Sequence, residues 1–104
     1  MDKELVKKKI KNVITQQDSS AKVILFGSRA RGNESKDSDW DILVLLDKPK
    51  VNFKDEQNIR HKIYDIELEI EEPISTFVYS IIDWNTRHSV TPLFKSVQRE
   101  GIYL

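Results

Sequence analysis

The stretch LFGSRARGNESKDSDWDILVLL, residues 25–46, decides how this chain folds and where its chemistry lies. It begins apolar, breaks at Gly27-Ser28, runs through a polar loop and re-enters an apolar run that carries Asp39 and Asp41. Successive side chains of a strand alternate between its two faces. The two carboxylates are therefore predicted to point the same way, while Trp40 and the apolar residues that alternate with them point the other way.

This pattern of polar residues is typical of a site that binds phosphate and a metal ion. Two carboxylates on one face repel each other unless a cation relieves them, and carboxylate oxygens suit Mg²⁺. Gly27 allows a phosphate to approach the backbone, and Ser28 adds a hydroxyl donor. Arg29 lies close enough in sequence to neutralise phosphate charge, as does Arg31. Together these features indicate magnesium-assisted phosphoryl or nucleotidyl transfer.

Each of these features also has a purely structural interpretation. Gly27-Ser28 is compatible with a plain strand-to-helix turn in which Ser28 is the N-cap. The two aspartates are compatible with solubility residues at a loop edge, and the two arginines with solvated side chains. The spacing that joins the turn to the carboxylates favours phosphate binding over these alternatives.

The regions flanking this stretch predict a small mixed α/β (α+β) domain that spans residues 1–104. Its sheet has three or four strands and is flanked by helices. Apolar spacing, turn residues and capping residues place the elements in the order α, β, loop, β, α, β, α, α. The predicted bounds are a helix over 3–17, strands over 22–27, 40–46 and 74–80, a loop over 28–38, a helix over 53–71 ended by Pro73, a short helix beginning at Ser80, and a helix from Thr91-Pro92 that Gly101 ends as a C′ residue.

The composition narrows the classes of function. The 17 basic residues balance the 17 acidic residues, so net charge does not indicate a nucleic-acid partner. The chain has no cysteine, which excludes disulfides and thiolate metal sites. The absence of a long apolar run or a signal-peptide core favours no membrane association and a cytoplasmic location. His61 and His88 are interpreted as surface residues, and Trp40 and Trp84 as packing residues.

At residues 27–41 the chain resembles a known family. GSRARG followed by SDWD has the form Gly-Ser, ten residues, Asp-x-Asp. That form resembles the minimal nucleotidyltransferase domains of the DNA polymerase beta-like superfamily. The opening helix, the strand that ends at Tyr79-Ser80 and the closing REGIYL look similar too. The resemblance implies that the Gly-Ser turn binds a triphosphate and that Asp39 and Asp41 hold magnesium.

One departure from the family pattern concerns a third carboxylate. The family normally carries it on the strand after the long helix, as a metal ligand and a candidate base. In this chain that position falls at Ser75, and no Asp or Glu lies in 73–82. Glu71 or Glu72 is the candidate substitute.

Two functions follow from these observations. The first is a magnesium-dependent nucleotidyltransferase that moves a nucleoside monophosphate from ATP, or another nucleoside triphosphate, to a hydroxyl. The resemblance implies that a small helical HEPN-type protein carries that hydroxyl and that this chain acts as its antitoxin. The alternative is a catalytically weak or inactive nucleotide-binding module that acts through a partner protein. A third carboxylate near Asp39 and Asp41 would favour the enzyme.

Overall fold

A four-stranded sheet is the centre of the computed structural model, which describes residues 2–104. The strand order is β3-β2-β1-β4, with β2 parallel to β3 and the other two pairs antiparallel. The mixed α/β class and the strand number agree with the prediction. The elements are α1 (Lys3–Gln17), β1 (Lys22–Phe26), α2 (Ser28–Arg31), β2 (Trp40–Leu46), α3 (Phe53–Ile70), β3 (Ile74–Ser80), α4 (Ile81–Asn85), α5 (Pro92–Glu100) and β4 (Ile102–Tyr103).

Two elements differ from the prediction. The short helix α2 lies inside the segment 28–38 that was predicted as a loop, and β4 was not predicted as a strand. Because β4 contains two residues, it has no periodicity of its own. It forms by pairing Ile102 and Tyr103 with the middle of β1.

Helices α1 and α3 cover one face of the sheet. In α1 the residues Val6, Ile10 and Ile14 recur every four positions and are fully buried. The apolar spacing of residues 3–17 predicts that Leu5 also lies on this face, but its side chain is 45% exposed, because it lies at the border of the buried stripe. In α3, isoleucines recur at positions 59, 63, 66 and 70, a spacing that predicts one buried face, and Ile59, Ile63 and Ile66 are buried.

Strand β2 lies between the two hydrophobic layers. Trp40 belongs, with alternate residues of β2, to the core beneath α1 and α3. Leu43 and Leu45 belong to a second core, which Trp84 of α4 and Val97 of α5 complete. Asp41 shares the alternation of Leu43 and Leu45 and therefore lies on the α4–α5 face of the sheet.

The last helices follow the predicted capping residues. Ser80 accepts a hydrogen bond from the N–H of Asp83, and Thr91 accepts one from Phe94. Gly101 follows α5 as predicted. Its φ is −66°, so it does not form a left-handed C-terminal cap. A Cβ there would lie 2.5 Å from the carbonyl oxygen of Val97, so the close approach requires glycine.

Within residues 2–104, no helix has the length and hydropathy needed to cross a bilayer.

Candidate active site

The two halves of the motif meet where β1 ends. Phe26, the last residue of β1, pairs with Asp41 in the sheet, and Gly27 follows directly. Gly27 has φ +78°, and a Cβ there would overlap Asp41 Oδ2 and lie 3.0 Å from Asp41 Cγ. Glycine is therefore required for both its backbone conformation and the close packing of the turn against a carboxylate.

The turn itself excludes one structural interpretation. Gly27, not Ser28, is the N-cap of α2, and Ser28 is the first helical residue. The carbonyl oxygen of Gly27 accepts from the N–H groups of Ala30 and Arg31, each at 3.1 Å. Because glycine has no side chain to cap the helix, the first N–H groups of α2 are not satisfied by an N-cap side chain.

The two aspartates form an electrostatically unfavourable pair. Asp39 is exposed, whereas Asp41 is half-buried. Burial raises the pKa of Asp41 above its ordinary value, and the negative charge of Asp39 raises that pKa further. Arg31 opposes this increase in pKa, while Glu100 adds to it. A cation beside the pair would favour the charged form of both groups.

The donor set fits a magnesium ion only in part. Carboxylate oxygens are suitable ligands, and Mg²⁺ usually keeps several waters while binding one or two carboxylates and substrate phosphates. Among residues 2–104, no group of three His, Cys, Asp or Glu side chains is arranged to hold a metal ion. Asp39 and Asp41 can therefore supply two ligands, and the others would come from phosphate and water.

Ser75 occupies the position facing the aspartates where the resemblance places a third carboxylate. It pairs with Asp41 in the parallel register of β2 and β3. Its hydroxyl donates a hydrogen bond to Asp39 Oδ2 at 3.1 Å. The side chain at this position thus orients one aspartate and adds no negative charge.

The two glutamates suggested as substitutes, Glu71 and Glu72, make contacts away from Asp39 and Asp41. Glu72 forms an ion pair with Arg29 at 2.6 Å. Glu71 is exposed and lines a cleft of about 470 Å³ with Lys3 and Lys36. The neighbouring Glu67 accepts from the N–H of Ile74 at 2.7 Å.

Arg29 is held in the interior of the molecule. Its side chain is 5% exposed, and its guanidinium lies 4.5 Å from the ring centroid of Trp40. It donates two hydrogen bonds, at 3.2 and 2.9 Å, to the carbonyl oxygen of Ser38, the residue before Asp39. Phosphate contact by Arg29 stays a prediction, and it would require these contacts and the ion pair with Glu72 to open.

Arg31 has a different partner, which sequence reasoning missed. Glu100, the last residue of α5, accepts hydrogen bonds from Arg31 Nη1 at 3.0 and 2.9 Å. The same carboxylate accepts from the N–H of Gly27 at 3.2 Å. The family resemblance included the REGIYL segment, which contains Glu100. The sequence around Glu100 did not indicate that its side chain contacts the Gly27 turn.

The histidines are not part of the site. His61 is exposed on α3, as predicted. His88 is half-buried, and its ring centroid lies 4.3 Å from that of Tyr79, so it is a packing residue in part. Trp40 and Trp84 are both buried, in agreement with their interpretation as packing residues.

The chain is similar to known nucleotidyltransferases along almost its whole length. A family model described as Polymerase beta, Nucleotidyltransferase matches residues 8–104. MJ0141 of Methanocaldococcus jannaschii, named as a candidate protein adenylyltransferase, is 35% identical over 77 residues. That match covers 73% of this chain and 77% of MJ0141.

Two further similarities are partial or confined to the fold. Protein adenylyltransferase MntA of Aphanizomenon flos-aquae is 50% identical over 36 residues, which cover 35% of this chain. The match spans only 24% of the length of that relative. A crystal structure of a toxin-antitoxin with AMP-PNP has a TM-score of 0.66 at 20% identity, over 92% of this chain and 69% of that chain.

Proposed function

This chain belongs to the polymerase beta nucleotidyltransferase family, as a minimal nucleotidyltransferase domain, and we propose that it moves a nucleoside monophosphate from ATP, or another nucleoside triphosphate, to a hydroxyl group. The observation that carries the proposal is the packing of Gly27 against Asp41. It brings the proposed phosphate-binding turn and the proposed metal ligands together at one end of the sheet.

Magnesium would be held by the carboxylates of Asp39 and Asp41. When bound, it would supply charge neutralisation for the triphosphate and for the pyrophosphate that leaves. The raised pKa of Asp41 supports this assignment, because a divalent ion would relieve the repulsion between the two carboxylates. Gly27 and Ser28 would bind the β- and γ-phosphates, and Ser75 would keep Asp39 oriented.

The reaction breaks the phosphoanhydride bond between the α- and β-phosphates and forms a phosphate ester bond to the acceptor. The acceptor hydroxyl oxygen forms a bond to the α-phosphorus, and the bond between that phosphorus and the bridging oxygen breaks. Pyrophosphate leaves with the bonding electron pair. The hydroxyl proton goes to water, because Asp39 is assigned to the metal and Glu67 and Glu72 are engaged in other contacts.

The acceptor hydroxyl is proposed to lie on a partner protein. Two relatives are named protein adenylyltransferases, and one solved structure of similar fold is a toxin-antitoxin with AMP-PNP. We therefore propose ATP as the donor, a small helical HEPN-type protein as the partner, and an antitoxin role for this chain.

A second function is favoured by one specific observation. With Ser75 in place of a carboxylate and Glu72 bound to Arg29, the pair Asp39 and Asp41 receives no third acidic ligand from the end of α3 or from β3. A domain of this kind binds nucleotide but transfers it slowly or not at all, and acts by binding a partner. This alternative shares the nucleotide site and differs only in the chemical step.

The first experiment uses ATP labelled at the α-phosphate, with magnesium, and the protein alone or mixed with a HEPN-type protein. The proposed enzyme places label on protein, and Asp39→Asn with Asp41→Asn abolishes the transfer. A matched control is Asp37→Asn with Asp47→Asn, which removes two exposed carboxylates outside the site and should leave transfer unchanged.

The outcomes separate the two functions. Magnesium-dependent ATP binding without transfer, under every pairing, would favour the binding module. ATP binding that survives the loss of both Asp39 and Asp41 would contradict the site assignment for both functions. Binding is measured by titration calorimetry on the same preparations.

A further inference from the structure

The contacts of Glu100 link two parts of the chain that are 69 to 73 positions apart. Its carboxylate accepts from the backbone N–H of Gly27 at 3.2 Å and from Arg31 at 2.9 and 3.0 Å. Its side chain is 12% exposed, whereas that of Arg31 is 47% exposed. One carboxylate at the end of α5 thus holds both the turn before α2 and the last residue of α2.

We infer that Glu100 is a positioning residue for the triphosphate, because it fixes both the Gly27 turn and the guanidinium of Arg31. This inference rests on the proposed nucleotide site and assigns two further residues to it. Glu100 would act through the turn and through Arg31, while Arg31 would contact phosphate directly.

The first argument is the backbone of Gly27. Gly27 follows the last residue of β1, and its N–H donates to the carboxylate of Glu100. Glu100 provides that acceptor from a helix that packs against β1. Removing it would free the turn to move relative to Asp41, and small displacements of binding groups have large effects on phosphate transfer.

The second argument is the geometry of Arg31. A guanidinium has five N–H donors, and Glu100 engages only those of Nη1. Among residues 2–104, no other hydrogen bond to the Arg31 side chain is present, so Nε and Nη2 can donate to phosphate oxygens. The electrostatic influence of both Arg31 and Glu100 on the pKa of Asp41 supports their closeness to the pair.

The competing interpretation is an ordinary surface ion pair, which contributes little to stability or binding. The chain offers a direct reference in Glu56 and Arg60, which form an ion pair at 3.0 Å on the surface of α3. Glu56 is not bonded to any backbone N–H of a distant turn in the part of the chain that the structure describes. Glu56→Gln is therefore the matched control for Glu100→Gln.

The test compares affinities for ATP with magnesium, measured by calorimetry on the full chain. Glu100→Gln should raise the dissociation constant about tenfold, because it removes the negative charge that strengthens the hydrogen bonds to Arg31, and Glu56→Gln should not change it. Arg31→Gln should weaken ATP binding by a similar factor. The double variant should bind ATP no more weakly than the weaker of the two single variants, because the two residues act together.

Further readouts separate this role from a general loss of structure. The affinity for adenosine, which has no phosphates, should be the same in the wild type and the variants. In the unliganded protein, hydrogen exchange of the Gly27 amide should accelerate in Glu100→Ala and much less in Glu100→Gln, whose side-chain oxygen still accepts. If Glu100→Gln does not fold, the affinity for ATP is measured on Arg31→Gln and Arg31→Lys instead.

The results distinguish failure of the inference from failure of the proposed function. If wild-type protein binds ATP and Glu100→Gln binds it as tightly as Glu56→Gln, only the inference is overturned. Additive losses in the double variant would overturn the joint action of Glu100 and Arg31. If wild-type protein does not bind ATP with magnesium, the proposed function fails, and the inference fails with it.

Discussion

Arg29 and Arg31 lie two residues apart in one short helix, yet they belong to different environments. Each pairs with a glutamate that is distant in sequence, at 2.6 Å for Glu72 and at 2.9 Å for Glu100. The side chain of Arg29 is 5% exposed and that of Arg31 is 47% exposed. Arg29 therefore supports Asp39 through the Ser38 carbonyl, whereas Arg31 lies at the accessible surface, where its charge acts on Asp41.

The comparison teaches that the same residue type in one motif can serve structure or ligand binding, depending on the partner it meets. A buried guanidinium must be satisfied by the protein at all times, because leaving a charge unpaired in the interior is costly. A half-exposed guanidinium can exchange a protein partner for phosphate or water at little cost. Four changes would break or sharpen this difference.

The largest effect is expected for Arg29→Ala. The variant leaves Glu72 without its partner, removes both bonds to the Ser38 carbonyl, and loses the contact with Trp40. The free energy of unfolding should fall by about 3 kcal/mol, in the range found when one partner of a buried ion pair is removed. Urea denaturation measures it, and a loss of under about 0.5 kcal/mol would contradict the structural role.

Gly27→Ala should come second and tests the turn that precedes both arginines. A Cβ at φ +78° is strained, and it would overlap the Asp41 carboxylate, so we expect a loss of about 2 kcal/mol. Gly32→Ala is the control, because φ is +79° there but no atom lies within 4 Å of the added Cβ. Equal losses in the two variants, measured by the same denaturation, would mean that contact with Asp41 is unimportant.

A small effect on stability is expected for Arg31→Ala. Its ion pair with Glu100 is half-exposed, so the free energy of unfolding should fall by about 0.5 kcal/mol. The loss should shrink further in high salt, because screening weakens exposed charge pairs. If thermal melts instead place Arg31→Ala beside Arg29→Ala, the distinction between the two arginines is wrong.

The smallest effect, of opposite sign, is expected for Asp41→Asn. Burial and the charge of Asp39 raise the pKa of Asp41 in the folded state, so its ionisation destabilises the fold. That destabilisation is present at pH 7 and disappears as the pH falls through the raised pKa. The variant should therefore melt a few degrees higher at neutral pH, and the gain should diminish in acid.

Asp37→Asn is the control for this last prediction. Asp37 is exposed in the loop that precedes β2, so its replacement should leave the melting temperature unchanged at both pH values. A lower melting temperature for Asp41→Asn at pH 7 would show that the carboxylate makes stabilising contacts that outweigh its burial.

Much of the architecture followed from patterns that are local in sequence. The four-residue spacing of Val6, Ile10 and Ile14 set the buried face of α1, and the isoleucine repeat set that of α3. The alternation in β2 placed Trp40 and Asp41 on opposite faces. These patterns are readable because burial of apolar side chains dominates folding and repeats with the period of each element.

The same patterns did not predict the contacts made by distant residues. Neither β4 nor α2 has enough residues to show a period, and Gly101 is required by the nearby Val97 carbonyl, which no helix-capping rule describes. The Leu5 side chain lies at the edge of the buried stripe, where the period alone does not decide exposure. Short elements and borders depend on neighbours that fold onto them.

The candidate site shows the same difference between local sequence patterns and contacts of distant residues. By itself, the sequence determined which residues are available: Gly27 and Ser28 at a strand end, Asp39 and Asp41 on one face, and Ser75 in place of a carboxylate. Only the tertiary structure decided that Glu72 binds Arg29, and that Glu100 reaches Gly27 and Arg31. Pairing between charges far apart in the chain depends on distance, burial and orientation, and these are set when the helices pack on the sheet.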